Sequence, residues 1–296
     1  MSAAPSPSTP SRSTPLARFA ANRAALLGAV LVAFVVIAAL FAPLIAWHEP
    51  DHKNVAHGLS QLGEPLPPSA EFPLGTDALG RCVASRLLYG ARISLVVGLL
   101  ATLMATVVGT LVGLVAGYRG GLTDAVLMRT VDLILSFPFL LLVIALAAIW
   151  RDAGLGAVLL VLGTVSWTQV ARVVRARALA LRESEFVQGA RAVGASGVRV
   201  VLRHILPNVV GPVVVMATVS VAQMIIAEST LAFLGFGAPP PTATWGRMLS
   251  DGQAYLTGGA PWLALAPGAA VLLTVLGFNL LGDGLRDMLD PREKRA

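Results

Sequence analysis

Six stretches of this chain, about 25–47, 93–118, 126–149, 157–174, 209–233 and 263–282, run apolar for close to the length of a membrane crossing. About 20 apolar residues in helical form cover a hydrocarbon layer of about 30 Å, and a helix satisfies all its backbone polar groups within its own segment. The expected fold is therefore all-α, a polytopic membrane protein with six transmembrane helices. Apolar residues make up 56% of the 296 and charged residues only 13%, which excludes an ordinary soluble domain.

The runs divide the chain into a disordered cytoplasmic tail at 1–24, a first transmembrane helix at 25–47, an extracytoplasmic segment at 48–92, a five-helix core at 93–287 interrupted by a polar loop at 176–207, and a cytoplasmic tail at 288–296. The first run competes with a cleaved signal peptide, because Arg12, Arg18 and Arg23 precede it. A signal's apolar region is only about 7–15 residues long, so a retained anchor is expected. With the N-terminus inside, sixteen of the 22 basic residues fall on the inner side, which places both termini in the cytoplasm. The net charge of +6 follows from that bias and from anionic lipid, so nucleic acid is not an expected partner. Cys82 is the only cysteine, which rules out an intrachain disulfide.

Three features interrupt the apolar pattern. In the second run Ala101, Ala105, Gly109, Gly113 and Gly117 recur every four residues, a stripe that lets another helix approach closely. In the third, Pro138 removes a backbone hydrogen bond and predicts a kink, read either as a gating hinge or as a bend that fits the bundle. Between the fourth and fifth lies a basic, amphipathic island. Phe186, Val187, Ala190 and Val193 fall at helical spacing, Gly194 offers a left-handed end, and Ser196 can cap a second short helix that Pro207-Asn208 stops. Such an island either docks in a protein groove or lies on lipid. The outer segment is rich in Pro and Gly, with a short helix expected near 78–88.

Energy-coupling and catalytic chemistry are both constrained. A phosphate-binding loop needs a lysine after glycine, and the only lysines, Lys53 and Lys294, follow His52 and Glu293. No histidine falls inside an apolar run, which argues against an intramembrane metal or His-based enzyme. His48, Glu49, Asp51, His52 and His57 are metal-capable, yet in a solvated loop such residues are usually only that, and no metal site is assigned. Glu228, near the outer end of the fifth run, is costly there; it bonds within a subunit interface, lines a pathway or is simply exposed at the membrane interface. Asn279 and Asp283 are expected to fix the end of the last run.

The island resembles the coupling loop of ABC importer permeases, in which an acidic or polar residue and two small residues are followed by a glycine and then by Leu-Pro; here these positions are Gln188, Gly189, Ala190, Gly194, Leu206 and Pro207, with Gln188-Gly189 standing where the family's motif has Glu-Ala. Phe72-Pro-Leu-Gly-Thr-Asp77 with Gly80-Arg81, Glu228-Ser229 through Gly237, and Asn279 through Arg292 resemble further segments of the dipeptide/oligopeptide branch, its C-type subunit. Where that branch usually carries Asp after Gly80-Arg81, this chain has Cys82.

The resemblance implies a type I ABC importer permease fold and half of a translocation pathway. It implies a second permease subunit as heterodimer partner, two ATP-binding subunits and an extracytoplasmic solute-binding protein. It places Glu185, Phe186, Gln188, Gly189, Ala190, Gly194, Leu206 and Pro207 in the ATPase-coupling loop; Glu228, Pro138 and Asn279 are, by their own chemistry, candidates for the pathway or a subunit interface. Gly109, Gly113 and Gly117 are expected in helix packing. The chain itself would bind no cofactor, ATP and Mg belonging to the partner ATPases. Within the family dipeptide, oligopeptide, glutathione, opine and nickel cargo stay open; outside it, the alternative is a stand-alone channel or secondary carrier, for which the sequence shows no internal repeat or paired intramembrane charge.

Overall fold

The computed structural model of the chain describes residues 19–150 and 154–289. Arg12, Arg18, Arg151, Arg292, Lys294 and Arg295, and most of both expected tails, lie outside the described residues. The helices are α1 Arg23–Leu40, α2 Ala42–Ile45, α3 Val83–Arg119, α4 Gly121–Leu135, α5 Phe139–Ile149, α6 Gly154–Arg182, α7 Glu185–Ala192, α8 Gly197–Val200, α9 Leu206–Phe233, α10 Trp245–Gly252 and α11 Trp262–Leu289. Among the described residues, five helical stretches are long and apolar enough to cross a membrane, and six if α4 and α5 count as one bent crossing.

The centre of the bundle is α3, and its packing follows from its small residues. Ala101, Ala105, Gly109, Gly113 and Gly117 are all buried along one face. A Cβ at Gly109 would sit 2.5 Å from the Trp167 carbonyl oxygen on α6, one at Gly113 2.6 Å from that of Ala171, and one at Gly117 2.7 Å from the Ala178 Cβ. The stripe is thus a seam in which α3 and α6 meet through their backbones. One core fills the space between α3, α5, α6 and α9 with Val97, Val143, Val158, Leu162 and Leu231. A second joins α1, α3, α9, α10 and α11 through Val35, Leu95, Ile225, Trp245 and Phe278.

Helix boundaries differ from the apolar runs wherever tertiary partners extend or break a helix. The second run grows upstream: residues 83–92, expected in the outer segment, belong to α3, and the separate short helix near 78–88 does not form. At 37 residues α3 is about 55 Å long, more than a bilayer core needs. Its polar start is tolerated because the buried Arg86 donates to Asp51 at 3.1 Å and to the Pro50 carbonyl at 3.2 Å, with Asp77 3.6 Å from its Nε. The first run ends early: α1 stops at Leu40, and α2 starts anew with Pro43 in its first turn. At Pro138 the chain bends by 87° between α4 and α5.

Three further boundaries move for the same reason. Helix α6 runs on to Arg182, into the loop expected from 176, because Ala178 still packs on Gly117 and Arg175 pairs with Asp124 on α4. Pro207 does not stop a helix. Residues 201–205 form a π turn, in which the Leu206 N–H reaches back to the Val201 carbonyl, and α8 passes through it into α9. The wider turn gives the proline ring the room that an α turn denies it. Asn279 and Asp283 lie within α11, not at its end, since Gly284 packs against Ala25 and the Asn22 amide donates to Asp287 at 3.1 Å.

Candidate coupling face and pathway surface

One end of the bundle carries α7. Ser184 stands at its N-cap in extended conformation, and its carbonyl accepts from the N–H groups of Val187 at 3.1 Å and Gln188 at 3.0 Å. Glu185 lies in the first turn and Arg191 in the last, each complementing the helix dipole. The end is a Schellman motif: Gly194 at φ +84° donates to the Arg191 carbonyl at 2.9 Å, and Ala195 donates to that of Ala190 at 3.0 Å. Ser196 occupies the N-cap of α8, but its side chain makes no capping bond.

The expected apolar face of α7 is divided in two. Val187 is fully buried and packs with Leu114, Val174, Val200, Ile205 and Val209, so one side chain ties α7 to α3, α6 and α9. Phe186 and Val193 are 49% and 86% exposed, and Val198 and Leu202 beside them are exposed as well. The Phe186 ring lies 6.5 Å from that of His204. Tyr118, near the end of α3, braces the region: Arg191 stacks over its ring at 4.9 Å, Arg182 donates to its carbonyl at 3.2 Å, and Gly197 lets α8 approach the ring. Gln188 and Gly189 face outward. This is a short helix, well ended and singly anchored, with an apolar rim turned away from its own chain.

Farther along the bundle, a cavity of about 350 Å³ opens between α3, the α4–α5 bend, α6 and α9. Phe137 and Phe139 flank Pro138 at its wall, and Thr106, Ser166, Gln169, Ser220, Gln223 and Thr230 supply its polar groups.

The chain matches the family described as binding-protein-dependent transport system inner membrane component over residues 109–295, and the N-terminal transmembrane domain of oligopeptide transport permease C over residues 14–68. It is 40% identical to the dipeptide transport system permease protein DppC of Alkalihalophilus pseudofirmus, over 92% of this chain and 87% of that one. It is 36% identical to the oligopeptide permease protein OppC of Bacillus subtilis, over 94% and 88%. To the glutathione permease protein GsiD of Escherichia coli it is 41% identical, over 94% and 89%. The chain belongs to the binding-protein-dependent permeases. A chain of the MetNI methionine ABC transporter, solved in inward-facing conformations, shares the fold with a TM-score of 0.55 at 21% identity, covering 69% of this permease and 96% of that chain.

The permease is thus the membrane-spanning, non-catalytic subunit of an ATP-driven importer, with a type I importer fold and half of the translocation pathway. Its residues divide by place. Glu185, Phe186, Gln188, Gly189, Ala190 and Gly194 sit on α7 and its cap, while Leu206 and Pro207 lie where the π turn enters α9, joined to α7 through the Val187 cluster. Glu228, expected at a pathway or subunit interface, reaches no surface of the chain. It is fully buried, its Oε2 accepting from Ser94 Oγ at 3.1 Å, beneath Trp245, whose N–H in turn donates to Ser94 Oγ at 3.4 Å. Asn279 is half-buried in α11, away from the cavity.

Among the described residues, the side chains of the His48–His57 segment do not gather into a group of three or more that could hold a metal ion. His48 stacks on Phe72 at 5.0 Å, and Asp51 serves Arg86. Sequence reading missed Gln169 and Gln223, although two amides inside otherwise apolar runs are themselves a signal in a membrane protein.

Proposed function

We propose that this permease imports peptides or peptide-like small solutes as one half of a heterodimer with a second permease subunit. Two ATP-binding subunits rest on its α7 end, and a solute-binding protein delivers cargo at the opposite end. In this reading both termini and α7 are cytoplasmic in the inner membrane, basic residues on that side meet anionic lipid, and ATP with Mg is held by the partner ATPases.

The observation that carries the reading is α7 itself. A helix of eight residues is too short to be stable alone. Here it is held by Val187 from beneath and closed at Gly194, while Phe186 and Val193 stay uncovered. Seated in a cleft of an ATPase, it would pass a displacement through the Val187 cluster and Tyr118 into α3, α6 and α9, tilting the bundle as a rigid body. Relatives whose names specify dipeptide, oligopeptide and glutathione transport support an amide-linked cargo.

Copurification and cross-linking test this together. Cys82 is 1% exposed, so a Gln188→Cys substitution adds the one readily addressed thiol. Purification in mild detergent should recover a second permease and ATPases, and the introduced thiol should cross-link to an ATPase. A chain recovered alone, with that thiol reached only by lipid-phase reagents, would sink the coupling role and leave α7 as a membrane-surface helix.

A further inference from the structure

Gln169 and Gln223 are the two carboxamides of the cavity between α3, α6 and α9, and both side chains are exposed. Neither forms a hydrogen bond within the chain among the described residues, whereas Thr168 and Thr230 beside them donate back to their own helices. Both amides lie within the apolar runs. Gln223 is about 21 Å from the inner end of 209–233 and about 15 Å from its outer end, and Gln169 is about 18 Å from the outer end of 157–174 and about 8 Å from its inner end, one turn from the Arg172–Asp132 pair. An amide inside a membrane span is costly unless it finds a hydrogen-bond partner. These two find none in their own chain, so water or solute in the cavity must meet them.

The chemistry of the wall narrows what that is. Among the described residues, no acidic, basic or histidine side chain lines the cavity. Each carboxamide offers a carbonyl acceptor and two N–H donors in one plane, the complement of a peptide group's own N–H and C=O. Phe137 and Phe139 supply an apolar wall beside the Pro138 bend, against which side chains of varied shape can rest. A neutral hydrogen-bonding pair also holds no charge that would trap a zwitterion in transit.

We infer that Gln169 and Gln223 form a step within the membrane that hydrogen-bonds the peptide groups of the passing solute, reading the amide and not the charge or side chain. The inference rests on the peptide-import reading above.

The test uses the full assembly, with its partner permease, ATPases and binding protein, in proteoliposomes. Uptake of alanyl-alanine and of its amide-N-methylated analogue is compared for wild type, Gln169→Leu, Gln223→Leu and the milder Gln223→Asn. The leucine variants should slow alanyl-alanine uptake about tenfold, as expected for a lost hydrogen bond to the moving solute. They should keep binding-protein-stimulated ATP hydrolysis and lose the wild-type preference for the unmethylated dipeptide, with Gln223→Asn intermediate. Unimpaired uptake in the leucine variants would overturn the inference alone. So would loss of the second permease on purification, which would assign the amides to the subunit interface. A wild-type assembly that imports no dipeptide would sink the peptide reading and this step with it.

Discussion

The two ends of the bundle are held by different chemistry. At the cap end, where the 48–82 segment and α10 cover α3 and α9, polar contacts join residues far apart in sequence. Asp51 accepts from Arg86 at 3.1 Å, Thr76 Oγ1 donates to the Gly58 carbonyl at 2.6 Å, Ser94 bridges Glu228 and the Trp245 backbone N–H, and the Trp245 indole donates to the Leu87 carbonyl at 3.0 Å. At the α7 end the outermost helix has one buried side chain and several uncovered apolar ones. The difference teaches that the chain is built as a fixed frame at one end and a lever at the other. The glycine seam between α3 and α6 is the stiff member connecting them.

If that division is right, damage to the cap should cost stability, and damage to the lever should cost coupling. Trp245→Ala gives the largest effect. The ring is 1% exposed, and emptying its site should destabilise the chain by about 3–5 kcal/mol. Thermal unfolding in detergent should show a large drop in midpoint. A midpoint near wild type would mean that α10 is not part of the frame.

Ser94→Ala is next. Its hydroxyl donates to Glu228 and accepts from the Trp245 backbone N–H, so the change takes one hydrogen bond from each of two buried groups, at a cost of about 1–3 kcal/mol. Combined with Glu228→Ala the losses should be less than additive, because the two side chains share one hydrogen bond. Full additivity in the same unfolding assay would break the cap into independent contacts.

Gly194→Val moves to the lever. A Cβ there meets no heavy atom within 4 Å, so nothing clashes, but φ +84° costs a branched residue about 1–2 kcal/mol locally. Folded yield should change little while solute uptake falls away from ATP hydrolysis, measured side by side in vesicles. Normal uptake per ATP would show that the Schellman turn is dispensable for coupling.

How much of this frame and lever was legible in the sequence depends on the range of the cause. Gly109, Gly113 and Gly117 could be read as a seam because helix geometry alone puts every fourth residue on one face. Pro138 and Gly194 could be read because each acts on its own backbone. The upstream start of α3 could not, since Arg86 is made tolerable inside a packed helix by Asp51 and Asp77, which only the folded cap delivers. Nor could the fate of Glu228, whose partner Ser94 lies 134 residues away. Pro207 misled because the rule that proline ends a helix assumes α turns, and a π turn removes the clash on which the rule rests. Local chemistry was visible at both ends; the cap is mostly non-local.

The smallest effect on stability separates the two ends most sharply. Phe186 is half-exposed, with the His204 ring 6.5 Å from its own, so Phe186→Ala should alter unfolding by no more than about 0.5 kcal/mol. Aromatic side chains seated in a partner's pocket are the ones whose loss weakens binding by about 2 kcal/mol or more. If α7 is the lever, the variant should therefore fold as wild type yet retain its ATPases at least tenfold less well in detergent washes. Val187→Ala is the control with the opposite signature: it empties a buried site under the same helix and should lower the unfolding midpoint. Should Phe186→Ala leave ATPase retention intact while Val187→Ala reduces it, the docking surface would lie on another face of α7. The outward pair Gln188 and Gly189 would then be the place to look.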